Sequence, residues 1–213
     1  MLNNEHEVAV IFPSLCAEFR VEDVNSELSF PTVRPLVMPN LKIREPRDVL
    51  FQGDLGIAPC CYKHLKRIPQ PWTPRVSALR TFLLTVQPSP SISHLPATLP
   101  KVNCSLINRY QSGADSMGLH CDADLALGPQ PFILSVSLGT ERSFIFKHNE
   151  TGEAKRINLP HGTVVLMYGS RLQSNWKHGL RKTSSAEKQG MRINLSFRYH
   201  ELRTSWIQTK KQK

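Results

Sequence analysis

From residue 102 onward, short apolar runs alternate with turn-forming residues, and no run is long enough for a packed helix of ordinary length. That texture limits the fold more than any other feature of the chain. Strand-like runs fall near 104–110, 132–138, 142–147, 155–159, 163–168, 174–179 and 192–199. Turn signals separate them at Gly113, Gly128-Pro129, Gly139, Asn149–Gly152, His161-Gly162, Gly169 and Gly190. Seven or eight short strands in about 95 residues suit a β sandwich closed into a jelly-roll barrel. The predicted class is α+β but mainly β, a double-stranded β-helix (jelly-roll) core preceded by an N-terminal helix.

The first third reads as irregular. Pro31, Pro35, Pro39 and Pro46 leave no room for a long helix over 31–46. Residues 74–86 differ, because Val76, Leu79, Leu83 and Leu84 recur at helical spacing and Pro74 suits a first helical turn. The Pro- and Ser-rich stretch 87–101 is expected to be a surface excursion within one domain. Too little chain precedes it to form a core of its own.

Lys and Arg total 27 against 17 acids, a formal net charge of +10. Such a balance suits either plain solubility or attraction to polyphosphate. Lys210, Lys211 and Lys213 read as a solvated tail or a nucleic-acid arm. Five cysteines, an odd number with Cys60 and Cys61 adjacent, suggest reduced thiols in an intracellular protein, in nucleus or cytoplasm. The start has no basic segment of a secretory signal, and no apolar run reaches the length of a membrane helix. A monomer without membrane attachment is expected.

His120-Cys121-Asp122 sets an imidazole and a carboxylate two residues apart, hence on one side of a strand. With a downstream histidine they would form the two-His, one-carboxylate set of non-haem iron(II) oxygenases, which leaves coordination positions open. His178 is the candidate; His148, His161 and His200 are rivals, with His161 placed to shape a turn before Gly162. In Arg192-Ile193-Asn194-Leu195-Ser196-Phe197-Arg198, polar and apolar residues alternate strictly. The polar face is either solvated or a receptor for a dicarboxylate, since guanidinium groups grip carboxylates in a bidentate fork.

These segments together resemble the AlkB family of oxidative nucleic-acid demethylases. The resemblance is carried by Asn108-Arg109-Tyr110, Gly113-x-Asp115, His120-x-Asp122-x-Asp124, Ser135-Val136-Ser137-Leu138-Gly139 and Arg142-x-Phe144, followed by His161-Gly162, Trp176-x-His178 and Arg192-x-Asn194-x-Ser196-x-Arg198. It spans roughly 102–200, with weaker continuity back to about residue 46, where Pro46-Arg47 precedes Gly53-Asp54. The animal-type DNA repair members are the nearest fit.

The resemblance implies Fe(II) held by His120, Asp122 and His178. It implies 2-oxoglutarate as cosubstrate, held by Asn108, Tyr110, Arg192, Asn194, Ser196 and Arg198, with Arg192 and Tyr110 at the far carboxylate and Arg198 nearer the metal. Asp124, Phe51, Gln52 and Arg47 are the expected substrate contacts; Trp72 reads either as a platform for a flipped base or, as is commoner for a Trp beside prolines, as core packing. Gln52 stands where repair members usually have an aromatic, and the apolar finger near 36–44 offers only Met38. On this reading residues 1–101 form an extension, a nucleotide-recognition lid and a supporting helix, 102–200 the catalytic jelly roll, and 201–213 a basic tail. The implied partner is nucleic acid, single-stranded or duplex DNA or RNA, with phosphate contacts from residues such as Lys42, Arg44, Arg47, Lys63, Lys66 and Arg67. Two readings compete: a dioxygenase of the same fold acting on protein or a small molecule, and a non-catalytic jelly-roll binding module.

Overall fold

The computed structural model describes residues 2–4, 7–62, 65–86, 95, 100–122, 127 and 131–200. In chain order the strands are β1 (Leu2–Asn4), β2 (Glu7–Phe12), β3 (Leu36–Met38), β4 (Ile43–Arg44), β5 (Asp48–Gly53), β6 (Cys60–Tyr62), β7 (Leu65–Arg67), β8 (Cys104–Tyr110), β9 (Met117–His120), β10 (Phe132–Gly139), β11 (Arg142–His148), β12 (Ala154–Leu159), β13 (Thr163–Tyr168), β14 (Trp176–Leu180) and β15 (Arg192–Arg198). The helices are α1 (Val21–Ser26), α2 (Pro74–Thr85) and α3 (Ser170–Asn175).

Seven strands form the major sheet in the order β1-β2-β13-β10-β15-β8-β5, and four form the minor sheet, β12-β11-β14-β9. Neighbours run antiparallel, with β10 and β15 in unbroken register from Ile133↔Arg198 to Gly139↔Arg192. Mainly β architecture with a jelly-roll core is therefore the observed class.

The strand period of two explains how the major sheet buries both faces. On one face, Phe132, Leu134, Val136 and Leu138 of β10 join Ile193, Leu195 and Phe197 of β15, Val164 and Leu166 of β13, and Ile107 of β8. Helices α1 and α2 cover them with Val21, Val24, Val76, Leu79 and Leu83. On the other face, Ile133, Val165, Met167 and Tyr110 meet Phe144, Phe146, Trp176 and Leu180 of the minor sheet. The polar residues of β15 thus point into the space between the sheets, and each is buried.

Two expectations need correction, and one alternative is decided. The first third is not irregular: β2 pairs with β13 and β5 with β8 in the major sheet. The run near 174–179 begins as helix, because α3 occupies Ser170–Asn175 and β14 starts only at Trp176. Gly169, at φ 105°, makes the turn from β13 into that helix. Of the two readings of Trp72, the structure takes packing over the platform. Its ring lies 6.3 Å from Phe197, nearly parallel, and its Nε1 donates to Asp54 at 2.6 Å.

The tail residues 201–213, Asp124 and Lys63 lie outside the described residues, as does most of 87–101. No disulfide joins any of the five cysteines. Among the described residues, no helix is long and apolar enough to cross a membrane.

Candidate active site

The two histidines come together by strand pairing: in the register of β14 against β9, His178 faces His120. Asp122 follows just past the end of β9. The ligand atoms of His120, Asp122 and His178 all lie within 4.8 Å of one another. His120 Nε2 is 3.4 Å from Asp122 Oδ1, and His178 Nε2 is 3.8 Å from Oδ2. Three donors of this kind at this spacing fit one ion and leave its far side open.

Neighbouring groups aim the three ligands. His120 Nδ1 lies 3.0 Å from the Gly118 carbonyl, which leaves Nε2 turned toward the partners. The His178 ring stacks on Phe144 at 5.5 Å and lies 6.0 Å from Phe146. The backbone N–H of Asp122 donates to Gln173 Oε1 of α3 at 2.9 Å. Gly179 lets β9 approach: a Cβ there would come within 2.8 Å of the Met117 carbonyl oxygen.

The electrostatics suit metal binding. Burial lowers the His178 imidazole to about 4, so it is neutral at neutral pH with its lone pair available. Burial alone would raise the Asp122 carboxyl, but the Arg198 guanidinium and the two imidazoles outweigh it and hold that carboxyl far below its ordinary range. That influence also places Arg198 on the metal side of the site.

The rival histidines have other tasks. His161 Nδ1 accepts from Gly139 N–H at 2.9 Å and Nε2 sits 2.9 Å from the Ala17 carbonyl, so this ring ties a turn to the N-terminal segment. His148 lies against Trp176 at 4.9 Å and accepts from the backbone of Glu150 and Thr151. His200 is fully buried, beside Phe51.

A cavity of about 420 Å³ opens over the metal-binding residues. Asn108, Ser135, Asn194, Ser196 and Arg198 line it together with His120, Asp122 and His178. Asn194 Nδ2 donates to Ser135 Oγ at 2.8 Å, and Ser196 Oγ donates to Asn194 Oδ1 at 3.2 Å. Tyr110 and Arg192 stand one pair further along, in register with each other, with the guanidinium 5.2 Å from the phenol ring. They are adjacent to this lining rather than part of it.

Arg192 tests whether a dicarboxylate fits. It is 1% exposed, and burial lowers it to about 10. It donates to Ser137 Oγ at 2.8 Å, while its Nε has no hydrogen-bond partner and no carboxylate pairs with it among the described residues. A buried cation without a counter-charge is costly, and a carboxylate group of a ligand would relieve it. The donor set and this cation both match iron with 2-oxoglutarate.

The expected substrate contacts divide. Arg47 lines the cavity, but its Nε donates to Asn108 Oδ1 at 2.6 Å. Phe51 and Gln52 do not reach the cavity and are 2% and 1% exposed. Phe51 shares a face of β5 with Val49, two residues further along, where Ile57, Cys60 and Cys104 cover it. Gln52 turns the other way and accepts from Thr73 N–H. Of the expected phosphate-binding residues, Arg44 donates to the Arg34 carbonyl and Arg67 pairs with Glu45. Sequence reasoning missed Gln173, Ser135 and the Glu45–Arg67 pair; only the charge beside Pro46-Arg47 hinted at the last.

Fold, ligand set and arginine strand define an iron- and 2-oxoglutarate-binding oxygenase, and sequence comparison agrees. The 2OG-Fe(II) oxygenase superfamily profile matches residues 45–198. The chain belongs to that superfamily, and the relatives it is similar to include AlkB homologues. The DNA oxidative demethylase ALKBH2 of Mus musculus is 32% identical over 163 residues, covering 72% of this chain and 61% of that protein. Alpha-ketoglutarate-dependent dioxygenase alkB homolog 3 of Homo sapiens is 28% identical over 172 residues, 76% of this chain and 54% of that one. The chain thus spans about half to three-fifths of the length of these relatives. The solved structure of OsALKBH1 superposes with a TM-score of 0.56 at 20% identity, covering 89% of this chain and 97% of that one, a likeness of fold alone.

Proposed function

We propose that the protein is an oxidative demethylase of nucleic-acid bases. It takes N-methyl groups from bases such as 1-methyladenine and 3-methylcytosine in DNA or RNA, as a monomer inside the cell. One observation carries this reading: the three metal ligands and the guanidinium-bearing strand line a single cavity whose facing wall comes from the N-terminal segment. The names of its ALKBH2 relatives and the excess of 27 basic over 17 acidic residues support nucleic acid as the partner.

Iron with 2-oxoglutarate supplies the oxidising power, O2 and 2-oxoglutarate going to succinate and CO2 while one oxygen atom enters the substrate C–H bond. A hydroxylated N-methyl group is a hemiaminal, which releases formaldehyde and leaves the unmodified base. The chain's own residues orient and exclude. Arg192 and Arg198 would anchor the two carboxylates, with Arg198 on the metal side. Phe144 and Met167 add apolar lining to the cavity and would help to exclude water from it. A base enters only after leaving its stack, or from a single strand.

The test is formaldehyde release from oligonucleotides carrying 1-methyladenine or 3-methylcytosine, single- and double-stranded, DNA and RNA, at stated salt. Release dependent on Fe(II) and 2-oxoglutarate is expected. No release from any of them, with 2-oxoglutarate turnover indifferent to nucleic acid, would move the substrate to a protein or small molecule.

A further inference from the structure

The wall facing the metal ligands carries a charge pair that the reaction so far leaves without a task. Glu45 and Arg67 both line the cavity, and Glu45 is only 3% exposed. Glu45 Oε1 accepts from Arg67 Nη2, and the Glu45 backbone N–H is committed to the Pro35 carbonyl at 3.0 Å. Glu45 Oε2 has no hydrogen bond among the described residues, and Arg67 has no partner there besides Glu45. The other charges on this lining are engaged: Asp122 with the imidazoles, Arg198 beside it, and Arg47 with Asn108. That oxygen is left to the cavity, where water or a ligand's N–H can donate to it.

We infer that Glu45, braced by Arg67, reads the edge of the base and selects an exocyclic amine beside the alkylated nitrogen. This rests on the demethylase reading and names its substrate class. In 1-methyladenine and 3-methylcytosine, the methylated ring nitrogen is bonded to the carbon that bears the amine. With the methyl group turned to the metal, that amine lies alongside it, and Glu45 Oε2 is an acceptor for its proton. Methylation also makes both bases cationic, which the same carboxylate favours. In 3-methyluracil the place of the amine is taken by a carbonyl oxygen on a neutral ring. Two acceptors then meet with no proton between them, and the carboxylate stays unsatisfied. Arg67 neutralises Glu45 when the cavity is empty and keeps it aimed when a base is bound.

The experiment compares kcat/KM for formaldehyde release from matched single-stranded oligonucleotides, each with one 3-methylcytosine or one 3-methyluracil. The ratio is internal to each preparation, so it does not depend on how much protein folds. The unaltered protein is expected to favour 3-methylcytosine by about tenfold or more, the range of a hydrogen bond to a charged group. Glu45→Gln can both donate and accept, so its ratio should fall toward one. The double variant Glu45→Gln/Arg67→Met leaves no lone buried charge and serves if the single one does not fold; the same fall is expected. An unaltered protein without preference, or a variant keeping the original ratio, overturns the inference alone. An unaltered protein that releases formaldehyde from neither base overturns the demethylase reading and the inference with it.

Discussion

One wall of the cavity, formed by β8, β10 and β15, is held by continuous backbone ladders with the core of Val136, Leu195 and Phe197 directly behind it. The facing wall, drawn from residues 37–67, consists of the two-stranded β3–β4 and β6–β7 sheets beside β5, tied down mainly by charge. Arg34 donates to Asp48 at 2.7 Å and grips Asp115 with both terminal nitrogens at 2.7 Å. Arg109 and Gln111 also donate to Asp48. Val33, just before it, and Leu41 are 62% and 68% exposed, and the apolar cluster behind this wall, Phe51, Ile57, Cys60 and Cys104, is small beside the main core. Ladders and core fix the β8–β10–β15 wall in one geometry; ion pairs over small sheets hold the facing wall more loosely.

The sharpest test lies at the metal ligands, which the minor sheet brings to the same cavity. Asp122→Ala should lower succinate formation by more than the roughly 10–100-fold that outer-shell partners of a metal cost, and weaken Fe(II) binding in titration. Activity within tenfold of the original would mean the ion sits elsewhere. Next comes Leu195→Ala, which opens a hole behind the arginine strand and should destabilise the protein by about 2–5 kcal/mol in urea unfolding. A loss below about 1 kcal/mol would mean the core there relaxes freely.

Arg34→Met tests the charged wall. It takes the guanidinium from Asp115 and one of three side-chain donors from Asp48, and Arg34 is itself about a quarter exposed. The cost should therefore be about 2 kcal/mol, under the 3–5 of a fully buried pair. Hydrogen exchange should rise first across residues 35–48 while β10 and β15 stay protected. Equal loss of protection in both walls would erase the distinction.

A further test concerns acid. The unfolded His178 imidazole takes a proton near 6.5, the folded one only near 4. Between those values the unfolded chain binds more protons, so metal-free protein should lose stability as pH falls from 6.5 toward 4. His178→Ala should flatten that slope in thermal melts; an unchanged slope would assign it to another group.

The same contrast explains what could be read from the chain. The alternation in Arg192–Arg198 announced two faces, because period two survives whatever packs against it. It did not say that both faces are covered; that needs α1 and α2 behind and the minor sheet in front. The pairing of His178 with His120 depends on a long-range register that no local pattern encodes, and it came from resemblance. β2 was hidden in a region judged by its prolines, and α3 by a run of Ser, Arg, Gln and Asn without apolar rhythm. Phe51 was expected on the base because aromatics stack, but its place on β5 lies under Ile57 and Cys60. Glu45 escaped notice since a lone acid beside a proline looks like any solvated loop.

The close approach of β9 to β14 has a consequence for how sequences of this kind can drift. Gly179 touches no ligand in place of its missing side chain, yet any substitution must push Met117 and Gly118 outward, and His120 travels with them. A descendant could keep every iron-binding residue and still be disarmed by one added methyl group. An intact ligand motif is therefore a poor certificate of a working enzyme unless the neighbouring glycine is checked as well.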